Sequence, residues 1–265
     1  MQFDFLSDIH LEAFSETNLE ALGTSFDDYW RCVFDTGSSD TLLLAGDVTD
    51  DFASGSPAAD RFFELACARW KHIVCVLGNH DYWSATTPFT LTAGCIRRRY
   101  PQIVLLDGSV TEIGGTVIWG STFWSHIPAK AQPAVARLMP DYSMTRSDPP
   151  AVFTPAYTSE CHRRALDAID RALRASEGKP FVVLTHHAPS FRSTSWPRTE
   201  LSDAFCSADD KFLETHPGIR IWIHGHLHEP SRYRIGDAVV LCNPHGYLLT
   251  ERLPGEPFRC GSIAV

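Results

Sequence analysis

Aspartate, asparagine and histidine recur in short blocks spread over most of the chain: Asp8-Ile9-His10, Gly46-Asp47, Gly78-Asn79-His80-Asp81, His186-His187 and His224-Gly225-His226-Leu227-His228. Oxygen and imidazole donors in one set suit borderline divalent ions such as Mn²⁺, Fe²⁺ or Zn²⁺. They suit Ca²⁺, or a structural zinc held by thiolates, less well. The set holds enough ligands for two ions. Taken singly, each Asp has an ordinary alternative, because aspartate favours the turns that follow strands. Their joint occurrence favours the metal reading.

Position supports the same reading. The apolar runs Phe3 to Leu6, Thr41 to Ala45, Ile73 to Leu77, Ile103 to Leu106, Thr116 to Gly120, Phe181 to Thr185, Ile219 to Ile223 and Ala238 to Cys242 are predicted strands. Continuous apolar runs suit strands covered on both faces. Asp8, Asp47, Asn79, His186 and His226 each come directly after one of them, where open α/β sheets bind their ligands. Glycines 46, 78 and 225 let the backbone turn sharply and approach an ion closely. Helical spacing appears over Ala58 to Lys71 and over Tyr157 to Ser176. The alternation of strands and helices predicts an α/β sandwich with mixed sheets. Residues 124–156 break that rhythm, being rich in Pro, Ser and Arg, and are expected to form a cap over the site.

Together the five blocks resemble the signature of the calcineurin-like metallophosphoesterases, in the expected order and with typical spacing from residue 8 to residue 228. The run Asn243-Pro244-His245-Gly246-Tyr247 is similar to the Asn-Pro-Arg-Gly-Tyr of small bacterial members, with His245 in place of Arg. The resemblance implies a four-layer α/β/β/α sandwich with two mixed sheets, a single domain over 1–265, and two divalent metal ions. One ion would be held by Asp8, His10 and His228, the other by Asn79, His186 and His226, with Asp47 between them. Two such cations, roughly 3.5–4 Å apart, clamp a phosphate and bring a bridging water toward a neutral pKa. The resulting hydroxide would attack phosphorus in line while the ions neutralise the oxygens. His80 follows the ligand Asn79 and is assigned to stabilising the transition state or protonating the leaving oxygen. Asp81 is expected to orient it.

Substrate contacts are expected from His126 at the start of the cap, from Tyr142, Arg146 and Arg192, and from His187 beside His186. Trp124 and Trp196 are candidates for lining the pocket. His224 is expected to pack at a strand end, and His72, His162 and His216 to be solvated.

The chain has 265 residues, 44% hydrophobic and 21% charged, with a formal net charge of −9. An acidic balance argues against tracking a nucleic-acid backbone, so the expected partner is a small phosphorylated substrate. No run approaches the roughly 20 apolar residues of a membrane span, and no secretory signal is evident. Eight cysteines without a CxxC pair read as reduced thiols, which points to the cytoplasm. Three functions compete: a phosphomonoesterase or phosphodiesterase of small substrates, a nuclease of the same superfamily, and a catalytically silent binding scaffold. The acidic charge weighs against the nuclease, and His80 beside a full ligand set weighs against the scaffold. The loops around 124–155 and 188–205 are expected to choose the substrate.

Overall fold

A computed structural model describes residues 1–148, 152–252 and 257–265. Its strands are β1 (Gln2–Leu6), β2 (Thr41–Ala45), β3 (His72–Val76), β4 (Val104–Leu105), β5 (Ser109–Ile113), β6 (Thr116–Ser121), β7 (Phe181–Thr185), β8 (Ile219–His224), β9 (Ser231–Ile235), β10 (Ala238–Cys242) and β11 (Gly261–Ala264). They form a five-stranded sheet in the order β11-β1-β2-β3-β4 and a six-stranded sheet in the order β5-β6-β7-β8-β10-β9. Within each sheet the central strands are parallel, and β11, β5 and β9 add antiparallel edges.

Side chains alternate across each strand and so divide the core into layers. Phe3, Phe5, Leu43 and Val74 of the first sheet meet Ile118, Val182, Leu184 and Ile221 of the second. The outer face of the first sheet, with Leu42, Leu44 and Ile73, is covered by Trp30, Phe34, Phe62 and Phe63 from helices Phe26–Phe34 and Pro57–Arg69. The outer face of the second, with Trp119, Val183 and Trp222, is covered by Ala165 and Ile169 of helix Pro155–Ala175. The layers therefore run α/β/β/α. Each fully buried large apolar side chain contributes roughly 1.5–3 kcal/mol relative to exposure.

All eight strands expected from the apolar runs are present, with ends shifted by one residue at most. The three strands not anticipated, β5, β9 and β11, alternate between partly buried and exposed positions and carry Ser, Thr, Glu and Arg. Edge strands of this kind lack the continuous apolar signal. Helices Glu16–Leu22 and Phe26–Phe34 were also not anticipated, although Ser15 and Ser25 accept the amides of Asn18 and Asp28 as ordinary N-caps.

The region expected to form a cap folds into helices Gln132–Leu138 and Asp141–Met144; residues 149–151 of it lie outside the described residues. Its Ile127, Ala131, Val135 and Met139 pack with Ala204, while Trp124 and Phe153 join the core beneath the first sheet. No described helix is long and apolar enough to cross a membrane.

Candidate metal centre

The loops leaving β1, β2, β3, β7 and β8 meet at the carboxyl ends of both sheets. Backbone bonds strap them together: Asp8 N–H donates to Gly46 O at 3.0 Å, Ile9 to Asp47 O at 2.9 Å, and Gly225 to His186 O at 2.9 Å. Asp8, His10, Asp47, His226 and His228 all adopt the left-handed backbone region, with φ between 48° and 71°. A non-glycine residue held there costs on the order of 1–3 kcal/mol, and such strain concentrates at functional sites. Gly46 turns at φ 86°, and Gly78 leaves no room for a Cβ because Asp47 lies against it.

Three groupings of possible ligand atoms arise, each with its atoms within 4.8 Å of one another: Asp8, His10, Asp47 and His228; Asp47, His186 and His226; and His10, Glu12 and His80. Asp47 belongs to the first two. Its Oδ2 lies 3.7 Å from His10 Nε2 and 3.3 Å from His186 Nε2. Asn79 Oδ1 lies 2.9 Å from His186 Nε2, and its amide donates to Asp141 Oδ1 at 2.8 Å, which fixes the oxygen toward the site.

The second nitrogen of each ring sets the orientation of the first. His10 Nδ1 donates to Glu12 at 2.8 Å, His228 Nδ1 to Glu251 at 2.6 Å, and His186 Nδ1 to Ala45 O at 2.8 Å. These partners only accept, so each Nδ1 carries a proton and each ring turns its Nε2 inward. Burial works against a charge on these rings, but Glu12 and Asp47 raise His10, and Asp47 lifts His186 to about 9. His10 Nε2 and His228 Nε2 face each other at 3.1 Å. Asp8 Oδ2 and His226 Nε2 are buried without any partner among the described residues. Imidazole nitrogens converging on one carboxylate, beside a partnerless carboxylate oxygen and ring nitrogen, fit cations.

Burial alone would raise the Asp47 carboxyl, but the imidazoles of His186, His80 and His10 hold it well below the usual carboxylate range. For His226, burial and then His187 and His186 alongside push the ring well below its ordinary value, so it is neutral. Burial also works against a charge on His80. Asp47 and Asp50 outweigh it and lift His80 to about 9.

His80 Nδ1 donates to Asp50 Oδ1 at 2.7 Å, and Nε2 lies 3.4 Å from the Tyr247 hydroxyl. Asp50, rather than Asp81, therefore orients it. Asp81 is buried and accepts the backbone amides of Gly78, Asp47, Val48 and Thr49 at 2.7–3.2 Å, so it shapes the loops instead.

The other expected substrate residues are not brought together. His126 is exposed and 6.3 Å, ring to ring, from His162. The Tyr142 hydroxyl lies 3.1 Å from Thr158 Oγ1, Arg146 donates to the carbonyls of Ala85 and Thr86, and Arg192 lies over the Tyr233 ring at 5.0 Å. His187 is buried behind His226, 4.2 Å from its ring, where it supports that side chain instead of facing substrate. His162, expected in solvent, is buried. The cavity over the site, about 400 Å³, is walled by Trp83, Pro140, Asp141, Trp196, Phe205 and Tyr247, among others. Trp196 lines it as expected; Trp124 does not. Asp50 and Glu12 carried a local signal, being acidic residues three and two positions after Asp47 and His10. Asp141 and Glu251 carried none.

A family model described as calcineurin-like phosphoesterase matches residues 1–230. "Uncharacterized protein L509" of Acanthamoeba polyphaga mimivirus is 24% identical over 260 residues, 92% of this chain and 90% of that one. The structure of phosphopantetheinyl hydrolase (PptH) from Mycobacterium tuberculosis superposes with a TM-score of 0.67 at 18% identity, covering 98% of this chain and 95% of that chain. A dimetal phosphatase from Danio rerio gives 0.52 at 14% identity, covering 94% and 88%. With this fold and a family match over most of its length, the chain belongs to the calcineurin-like phosphoesterases, a family of phosphoric ester hydrolases.

Proposed function

We propose that the chain hydrolyses a small phosphate ester at two divalent cations, one held by Asp8, His10 and His228, the other by Asn79, His186 and His226, with Asp47 shared. The observation that carries this reading is the Asp47 carboxylate with imidazole nitrogens on both sides, beside the partnerless Asp8 Oδ2 and His226 Nε2. Bound there, Mn²⁺, Fe²⁺ or Zn²⁺ supplies Lewis acidity toward the phosphate oxygens and lowers the pKa of water.

The chain's own residues do the rest. Glu12, Glu251 and the Ala45 carbonyl fix the tautomers of His10, His228 and His186. His80, tied at Nδ1 to Asp50, holds a proton at Nε2 that it delivers to the leaving oxygen. Tyr247 lies over the His10 ring at 4.2 Å and closes that side of the cavity. A cavity of this size admits a phosphate with a modest organic group, which supports a metabolite-sized substrate. The eight unpaired cysteines support a role in the cytoplasm.

Metal analysis of the purified protein, with turnover of p-nitrophenyl phosphate and bis-p-nitrophenyl phosphate under Mn²⁺, Fe²⁺ and Zn²⁺, tests the reading. Two bound ions and turnover of one ester class are expected, and the ratio of the two rates assigns mono- against diesterase. No turnover with any ion would return the chain to the scaffold alternative, and cleavage of single-stranded DNA to the nuclease.

A further inference from the structure

A second cavity, about 580 Å³, adjoins the metal centre and shares two of its walls, Trp196 and Phe205. Phe205 lies nearly parallel to the His226 ring at 5.2 Å and meets Trp196 edge-on at 5.9 Å. Phe191 supplies a further aromatic wall, with the Arg198 guanidinium against its ring. Trp196 is 49% exposed, an unusual position for so large an apolar surface unless something covers it.

The threonine and serine hydroxyls of this groove are already engaged. Thr194 Oγ1 donates to Glu229 at 3.0 Å and accepts the Trp196 amide at 3.0 Å, and Ser202 Oγ accepts the Thr199 amide at 2.7 Å. Beyond the Arg198 guanidinium, which lies against the Phe191 ring, a polyol or sugar would meet few free partners, whereas an apolar arm meets the faces of Phe191, Trp196 and Phe205. Glu229 directly follows His228 and also accepts the Ser195 amide at 3.1 Å. The loop carrying Trp196 is thereby strapped to the loop carrying a metal-facing histidine, and the groove is positioned before any substrate arrives.

We infer that this groove receives the alcohol half of the phosphate ester, and that the alcohol is apolar, with an aromatic or long alkyl arm. The inference rests on the hydrolase reading above, because the phosphate must sit at the metal pair for the arm to reach across Trp196.

Calorimetry on the Mn²⁺-loaded full chain tests it without requiring turnover. 2-(2-Naphthyl)ethylphosphonate is expected to bind roughly 10–100-fold more tightly than ethylphosphonate, the span expected for burying one large apolar group. Ser202→Trp, which fills the groove from the side away from the metals, is expected to remove that advantage while ethylphosphonate binds as before. Trp196→Ala is expected to reduce it as well. Equal binding of the two phosphonates by the unaltered protein would overturn the inference. So would an advantage that survives both substitutions, or tighter binding of a polyol phosphonate. Turnover of p-nitrophenyl phosphate is measured in parallel. Its absence overturns the hydrolase reading, whereas a flat phosphonate series with turnover intact overturns the groove alone.

Discussion

Two sets of histidines lie close together in the molecule but differ in how their rings are bonded. At the strand ends, His10, His186 and His228 each have one ring nitrogen fixed by a protein acceptor and the other turned toward carboxylates, while His226 Nε2 has no partner among the described residues. Beside that convergence, His224 donates to Gly225 O and accepts from Ser193 Oγ, and His245 donates to Gly246 O and accepts from the Tyr29 hydroxyl. His224 and His245 are as deeply buried as His10 and His186. Burial therefore does not separate a ligand from a packing residue here. The satisfaction of the second nitrogen does.

The largest effect expected from this difference comes from substituting two histidines two residues apart. His226→Ala is expected to lose at least one of the two ions and nearly all turnover, read by metal analysis of the purified variant. His224→Leu is expected to keep full metal content and to lose about 1–3 kcal/mol of stability, because Gly225 O loses its donor and the Ser193–Tyr233 hydroxyl pair loses its acceptor. Equal metal loss in both variants would erase the distinction.

His80 stands between the two sets: it faces the cavity, yet its Nδ1 is committed to Asp50. His80→Ala is expected to lower kcat by roughly 10²–10⁴-fold, the range for a general acid, with both ions retained. Metal lost along with activity would make it a ligand and move it into the first set. A smaller effect is expected from the carboxylates behind the rings. Glu12→Gln and Glu251→Gln are expected to weaken one ion by about 10–100-fold, the range for partners that orient a ligand, and to leave the other unaltered. Competition against a fluorescent chelator reads the two affinities. A uniform loss at both positions would show that the carboxylates act on the whole site instead of on His10 and His228.

What could be read from the sequence follows the same line. The five blocks were legible because each ligand sits directly after a strand whose apolar run is continuous, so a purely local signal locates it. The sandwich was legible for the same reason, and the edge strands β5, β9 and β11 were not, since half of their residues face solvent. Tyr142, Arg146 and Arg192 carried suitable chemistry but no positional signal, and packing takes each of them elsewhere: to Thr158, to the carbonyls of Ala85 and Thr86, and to Tyr233. His162 appeared solvated because its helix is polar on most faces, whereas its ring docks on the Trp124 carbonyl at 2.8 Å. Asp81 was misassigned for a further reason. Adjacency in sequence suggested that it serves His80, while four backbone amides from two loops claim its oxygens.

The smallest effect concerns His245, the residue at which the family resemblance would imply Arg. Burial pushes its imidazole down to about 3, and both ring nitrogens are satisfied with the ring neutral. The unfolded chain takes up a proton at this position below a pKa of about 6.5, while the folded chain does so only near 3. Native stability is therefore expected to fall as the pH drops from about 6.5 toward 3, by up to about 1.4 kcal/mol per pH unit from this group. His245→Phe removes the titration but leaves the Tyr29 hydroxyl unpaired, at about 1–3 kcal/mol near neutral pH. The stability gap between the two proteins, followed by urea denaturation, is expected to favour the unaltered protein near pH 7, to close on acidification and to reverse sign by about pH 4, with metal content equal in the two proteins. A gap that stays constant down to pH 4 would mean that His245 takes up its proton in the fold as readily as in the unfolded chain, and so is not the saturated packing residue that sets it apart from His10 and His228.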